Sequence, residues 1–116
     1  MAEPVYKVLS EAAFEQAWAE GHFHGSADDA RDGFIHLSAG SQLAGTLATH
    51  FAGQQGLVLV ALDPARLGAA LKWEPSRGGA LFPHLYAPLD LAAMVWIEPL
   101  RLGPEGRHIL PEGVFA

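Results

Sequence analysis

Apolar and polar positions along the chain mark out short elements of two periods. Val5–Leu9 alternates and contains Val and Tyr, which predicts a first strand. Ser10 stands where a helix cap belongs and Gly21 where a helix stops, so a helix is expected over about residues 11–20. Within it Phe14, Ala17 and Trp18 recur at helical spacing and form an apolar face. Gly21–Asp32 is polar, with Gly, Ser and three Asp, and reads as a loop. Phe34–Leu37 reads as a second strand, broken by Ser38-Ala39-Gly40. Ser41 is placed to cap a second helix near residues 42–51, with Gly53 beyond its end. Leu43, Leu47 and Phe51 fall four apart and face a core.

Leu57–Leu62 is continuously apolar, the mark of a strand buried on both faces, and is expected at the centre of the sheet. Phe14, Trp18, Leu43, Leu47 and Phe51 are expected to pack over that sheet. Asp63-Pro64 starts a helical turn, since Pro is tolerated at a first helical position. Leu71–Trp73 is a brief strand, and Glu74–Gly79 a loop or irregular hairpin. Leu81–Tyr86 is extended, but Pro83 cannot donate to a ladder, which predicts an edge strand or a bulge. Asp90–Ala93 reads as a turn, Met94–Leu100 as the last strand, and Gly103–Ala116 as a tail rich in Pro and Gly. Two early helices and about six short strands predict an α+β fold with a mixed sheet.

Composition narrows this picture. With 116 residues, half of them apolar and 17% charged, the chain suits a single globular domain over residues 1–116. Cysteine is absent, which removes disulfides, zinc-thiolate sites and a thiol nucleophile. No basic stretch precedes an apolar run near the N-terminus, and no apolar run approaches the roughly 20 residues of a membrane span. A cytoplasmic protein without a membrane partner is therefore expected. The net charge of −6 argues against an extended nucleic-acid interface, because phosphate contacts supply most of such affinity. It leaves room for a small phosphorylated ligand.

Six histidines are the main candidates for chemistry. His22, His24, His50 and His108 fall in predicted loops or near a helix end. The H-x-H pair His22/His24 has no third ligand nearby, so no bound metal is expected. In Gly33–Ser38, alternation puts Phe34, His36 and Ser38 on one face and Ile35 and Leu37 on the other. An aromatic, an imidazole and a hydroxyl on one face suit a ligand cleft; a core histidine bonded to backbone fits the same pattern. Ser38 and His36 make no nucleophilic triad, because no Asp is placed by sequence to orient the base. In Leu81–Leu89, Phe82, His84 and Tyr86 share a face, where an aromatic ring can stack on a flat ligand and an imidazole can bond its polar edge. Glu74 follows Trp73 at a strand end, where it can orient a sugar hydroxyl, stabilise a cation, or simply be solvated. Glu98 is a second candidate carboxylate, since a charge within an apolar strand is unusual. No phosphate-binding glycine loop and no G-x-S-x-G elbow is present.

The segments GFIHLS (33–38) and FPHLYAPL (82–89), with the Tyr6–Ser10 strand, Trp18 and the Trp73-Glu74 pair, resemble domain-of-unknown-function family 952. Ala87 stands where that pattern has Gly. The family is similar to a divergent branch of the ADP-ribosyltransferase-like superfamily. The resemblance implies a small, strongly bent β fold whose cleft holds a nucleotide such as NAD. It implies that His36 contacts ribose or carboxamide, with Ser38 beside it, and that Tyr86 or Phe82 stacks on nicotinamide, with His84 on the same face. A glutamate that stabilises the ribosyl cation would be Glu74 or Glu98. In the related RNA 2′-phosphotransferases basic residues replace that glutamate, and Arg77 is the loop arginine available. The expected function is nucleotide binding, with His36, Glu74 and His84 as catalytic candidates and Ser38, Arg77, Phe82 and Tyr86 as ligand-binding ones. Two other readings stay open: a non-catalytic module for a small metabolite, and a metal-dependent hydrolase built on His36, His84 and Glu74.

Overall fold

In the computed structural model, which describes residues 3–114, the apolar run forms β5 (Leu57–Leu62), with every residue buried. Two separate clusters cover its faces. Val58, Val60 and Leu62 join Val5 and Leu9 on one side; Leu57, Leu59 and Ala61 join Leu43 and Leu47 on the other. The strand lies at the centre of a five-stranded sheet. Its neighbours are β1 (Val5–Ser10) and β9 (Met94–Leu102), flanked in turn by β4 (Ser38–Ala39) and β10 (His108–Ile109). Central placement is therefore as expected. The sheet is not mixed: every pairing among the described residues is antiparallel, and the sheet is strongly curled. A register shift between Ala61 and Leu62 adds local bend.

Two smaller sheets complete the fold. β2 (His22–Phe23) pairs with β8 (Leu89–Asp90), and β7 (Leu81–Leu85) lies between β3 (Ile35–His36) and β6 (Leu71–Pro75). The Leu81–Tyr86 segment is thus a central strand and not an edge. Pro83 fits there because its carbonyl accepts Leu37 N at 3.1 Å. In an antiparallel strand the nitrogen and oxygen of one residue point the same way. The missing donor of Pro83 thus faces the junction between β3 and β4, and the ladder to β6 loses nothing. β10 lies inside the expected tail, so Met94–Leu102 is followed by a further strand and is not the last one.

The first helix, α1 (Glu11–Glu20), has the expected ends: Ser10 accepts from Ala13 N, and Gly21 closes it with φ +82°. Its burial differs from expectation. Trp18 is 63% exposed and, among the described residues, its ring stacks on Phe14 alone, with ring centroids 6.1 Å apart. Ala17 makes the buried contact instead. The expected loop at Gly21–Asp32 contains β2 and a second helix, α2 (Ala27–Asp32). The next, α3 (Leu43–His50), is entered through a 3-10 turn over Gly40–Gln42. Ser41 does not cap it; Gln42 accepts from Ala39 N at 2.9 Å. A short α4 (Pro64–Leu67) follows its Asp63 cap. No helix among the described residues is long and apolar enough to cross a membrane.

Candidate functional site

Gly33–Ser38 forms the corner between two sheets: β3 pairs with β7, Leu37 turns the chain, and β4 pairs with β1. Ile35 and Leu37 are buried in the core, so His36 projects from the opposite face. His36 lies directly opposite His84 across the β3–β7 ladder, with ring centroids 5.9 Å apart. Both rings line a cavity of about 440 Å³ together with Ser38 and Phe82. This volume is in the range of small-molecule sites. The Ser38 hydroxyl, 4% exposed as a residue, meets Thr46 Oγ1 of α3 at 2.9 Å.

α2 supplies what the sequence reading missed. Ser26 and Asp29 form a capping box, and Gly33 ends the helix with φ +85°. Asp29 also accepts from Lys7 Nζ at 3.1 Å and from His36 N at 3.0 Å, and its Oδ1 lies 2.6 Å from His36 Nδ1. The other ring nitrogen of His36 meets Asp32 Oδ2 at 2.8 Å. Although the sequence places no Asp to orient His36, two carboxylates do so in the fold, one helical turn apart on α2. The S-x-x-D pattern before Gly33 was the available signal. Burial pushes the Asp29 carboxyl up, but Lys7 and the donors from His36 and Ser26 outweigh it and hold it below its ordinary value. Burial holds the Lys7 ammonium low, against the pull of Asp29.

On the far side of His84 stands Glu74, in β6 opposite Phe82 and not in a loop. Its Oε1 lies 2.8 Å from His84 Nδ1 and accepts the Tyr86 hydroxyl at 2.6 Å. The Tyr86 bond, then the His84 bond, holds this carboxyl below the usual range, and the same contact raises the Tyr86 phenol. Phe34 lies against the His84 ring at 3.9 Å and 23°. Nε2 of His84 has no hydrogen-bond partner among the described residues, although the side chain is only 5% exposed and Nε2 itself is not sealed from solvent.

The remaining candidates separate. Tyr86 and Glu74 sit behind His84 and do not line the cavity; Phe82 does. Glu98 is exposed on β9, opposite Leu59, and is not at the cavity. Arg77 begins the 3-10 turn between β6 and β7, and its side chain lies outside the described residues. His22 and His24 are exposed and away from this cavity, His50 is exposed at the end of α3 and lines it, and His108 is in β10 and meets the Gln54 carbonyl at 2.7 Å. His36, His84 and Glu74 make no shared metal set, since His36 turns both nitrogens to carboxylates. Among the described residues no three His, Asp or Glu side chains are placed to hold one ion.

No curated protein matches this chain. Solved structures do. The crystal structure of CC0527 from Caulobacter crescentus is 50% identical with a TM-score of 0.88, over 91% of this chain and 93% of that one. The solution NMR structure of CC0527 is 51% identical with a TM-score of 0.81, over 90% of each chain. The model of the family described as "Protein of unknown function (DUF952)" matches residues 8–97, a span that includes the His36 corner, Glu74 and the His84 strand, and the chain belongs to that family.

Proposed function

We propose that this domain binds a nucleotide, with NAD the leading candidate, in an ADP-ribosyltransferase-like cleft between the His36 corner and the His84 strand. The observation that carries the reading is the direct pairing of His36 and His84 at the wall of one cavity, each ring held by a carboxylate. Phe82 offers a flat apolar surface for a base or nicotinamide ring, and His84 Nε2 an acceptor for an amide or hydroxyl hydrogen. Asp32, its side chain 34% exposed, can accept a ribose hydroxyl while it holds His36. Arg31, also in the lining, is paired with Asp28 at 3.2 Å and Asp32 at 3.0 Å, so a phosphate there has to compete with these carboxylates for the guanidinium.

Thermal melts with NAD, ADP-ribose, AMP and, as controls, free nicotinamide and ribose test this. NAD or ADP-ribose should raise the melting temperature, as a ligand at 100 times its Kd stabilises by about 2.7 kcal/mol. His84→Ala should stay folded and weaken binding about threefold to tenfold, the loss expected from one hydrogen bond. No response to any nucleotide at millimolar concentration, or an unaltered response in His84→Ala, refutes the reading. A response to a non-nucleotide metabolite alone would instead favour a metabolite-binding module.

A further inference from the structure

We infer that two copies of this chain pair through the outer edge of β6, antiparallel and centred on Trp73, so that each copy sets its Lys72 against Glu74 of the partner subunit. The inference goes beyond the nucleotide reading and does not depend on it.

Ladder geometry leaves this edge open. β6 is the outermost strand of its three-stranded sheet and pairs only with β7 among the described residues. Pro83 and Leu81 turn their carbonyls away from β6, to Leu37 N at 3.1 Å and to Gln42 Nε2 at 2.7 Å. On the inner side, Tyr86 N donates to Ala70 O at 2.8 Å. Backbone groups of successive residues point to opposite sides of a strand. Lys72 and Glu74 therefore bond toward β7, while Trp73, opposite Pro83, points its N–H and C=O outward. Neither group has a partner among the described residues. The side chains at this edge are apolar on one face: Trp73 is 48% exposed and Leu81 54%, with exposed Pro75 directly opposite Leu81. An open edge strand of this kind is a template for pairing with another chain.

Charge selects the occupant and the register. A two-fold pairing centred on Lys72, or on Glu74, opposes like charges, which destabilises a sheet. A pairing centred on Trp73 opposes Lys72 to the partner's Glu74, and symmetry makes that contact twice. It also exchanges Trp73 N–H···O=C bonds in both directions and brings the two indole rings together. Both charged groups have capacity for the contact. Glu74 uses only Oε1 for His84 and Tyr86, and Oε2 has no partner among the described residues. Lys72 Nζ lies 5.5 Å from the centre of the Tyr86 ring and makes no ion pair among the described residues. Lys72 and Glu74 stand opposite His84 and Phe82 and share their face of the sheet. The second copy thus adds an ammonium to the carboxylate that holds His84. Pro75 has no N–H to extend the ladder, which confines the pairing to this short centre.

Sedimentation velocity on the full chain, from micromolar to millimolar concentration, tests the proposal. The wild type should move from one chain mass to two. Lys72→Glu should raise the dimer dissociation constant about tenfold, since two attractive pairs become repulsive. The chain has no cysteine, so one introduced thiol reports one contact. Trp73→Cys should form a covalent dimer on oxidation, because a hydrogen-bonded antiparallel pair brings its Cα atoms to about 5.5 Å, within disulfide reach. Leu81→Cys, on the same face but one strand inward, should not. Both positions are about half exposed, so neither replacement empties the core. A wild type that stays monomeric throughout overturns the proposal. A dimer that Lys72→Glu leaves unchanged, with Trp73→Cys not crosslinked, also overturns it, because the copies then meet elsewhere. Equal crosslinking of Leu81→Cys and Trp73→Cys overturns the register centred on Trp73.

Discussion

Replacing Asp29 by Asn tests how the site is attached to the fold. Asp29 has its side chain 2% exposed, and its Lys7 partner 9%. Its Oδ2 faces Lys7 Nζ and Ser26 N, and its Oδ1 faces the His36 nitrogens. An amide in the same place keeps one acceptor oxygen, and its NH₂ must point at donors whichever way it turns. Breaking one side of a buried pair in this manner costs about 3–5 kcal/mol. A second estimate sets a ceiling. Lys7 can escape its unpaired charge by losing a proton, which for a lysine of ordinary pKa costs about 4.6 kcal/mol at pH 7. Burial already lowers the Lys7 value in the folded protein, so the real cost falls below that ceiling. Urea unfolding at pH 7 should therefore show a loss of about 3–4 kcal/mol at an unchanged m-value, a large share of the ~5–15 kcal/mol that holds a domain together. The double variant Lys7→Met/Asp29→Asn should recover part of the loss. The pH dependence has a definite sign. Because the folded Asp29 value is depressed, the contribution is complete above the unfolded carboxylate value near pH 4 and is lost as pH falls through the lower folded value. The gap between wild type and Asp29→Asn should close on that acid side. A loss below about 1 kcal/mol at pH 7, or a gap that widens with acid, would refute this account of the pair.

Three further substitutions probe other parts of the fold by the same unfolding measurement. Ser26→Ala removes one side of the α2 capping box and should cost about 0.5–2 kcal/mol; no change would mean that Lys7 and His36 alone anchor the helix. Leu59→Ala in the fully buried central strand should cost about 2–5 kcal/mol, and a smaller loss would show that its cluster with Leu43 and Leu47 collapses around the gap. Trp18→Ala should stay within about 0.5 kcal/mol because the ring is mostly in solvent, and a large loss would contradict its exposed placement.

What could be read from the sequence follows the range of the interactions involved. The central strand, the capped first helix and the Asp63-Pro64 turn are local signals, and each lies where patterning put it. Alternation also grouped His36 with Ser38, and Phe82 with His84. Cross-strand register then brought His36 opposite His84, a fact no single segment carries. Pro83 misled because its effect depends on which side its nitrogen faces, and that is known only once β3 and β6 are placed. Trp18 misled because periodicity cannot tell which end of an apolar stripe meets the core. Asp29 was legible as half of a capping box, but its second role needed Lys7, distant in sequence, to arrive beside it.

A helix of six residues has no stability of its own in water. α2 therefore stays wound because Asp29 is tied to β1 through Lys7 and to the β3 corner through His36. Anything that turns the His36 ring or draws on Asp32 pulls on the same ties. The backbone amides of this helix should then act as a gauge of what occupies the neighbouring cavity. Their hydrogen exchange should slow when a ligand braces the corner and quicken when one competes for its carboxylates, with exchange in β5 serving as the unaffected reference.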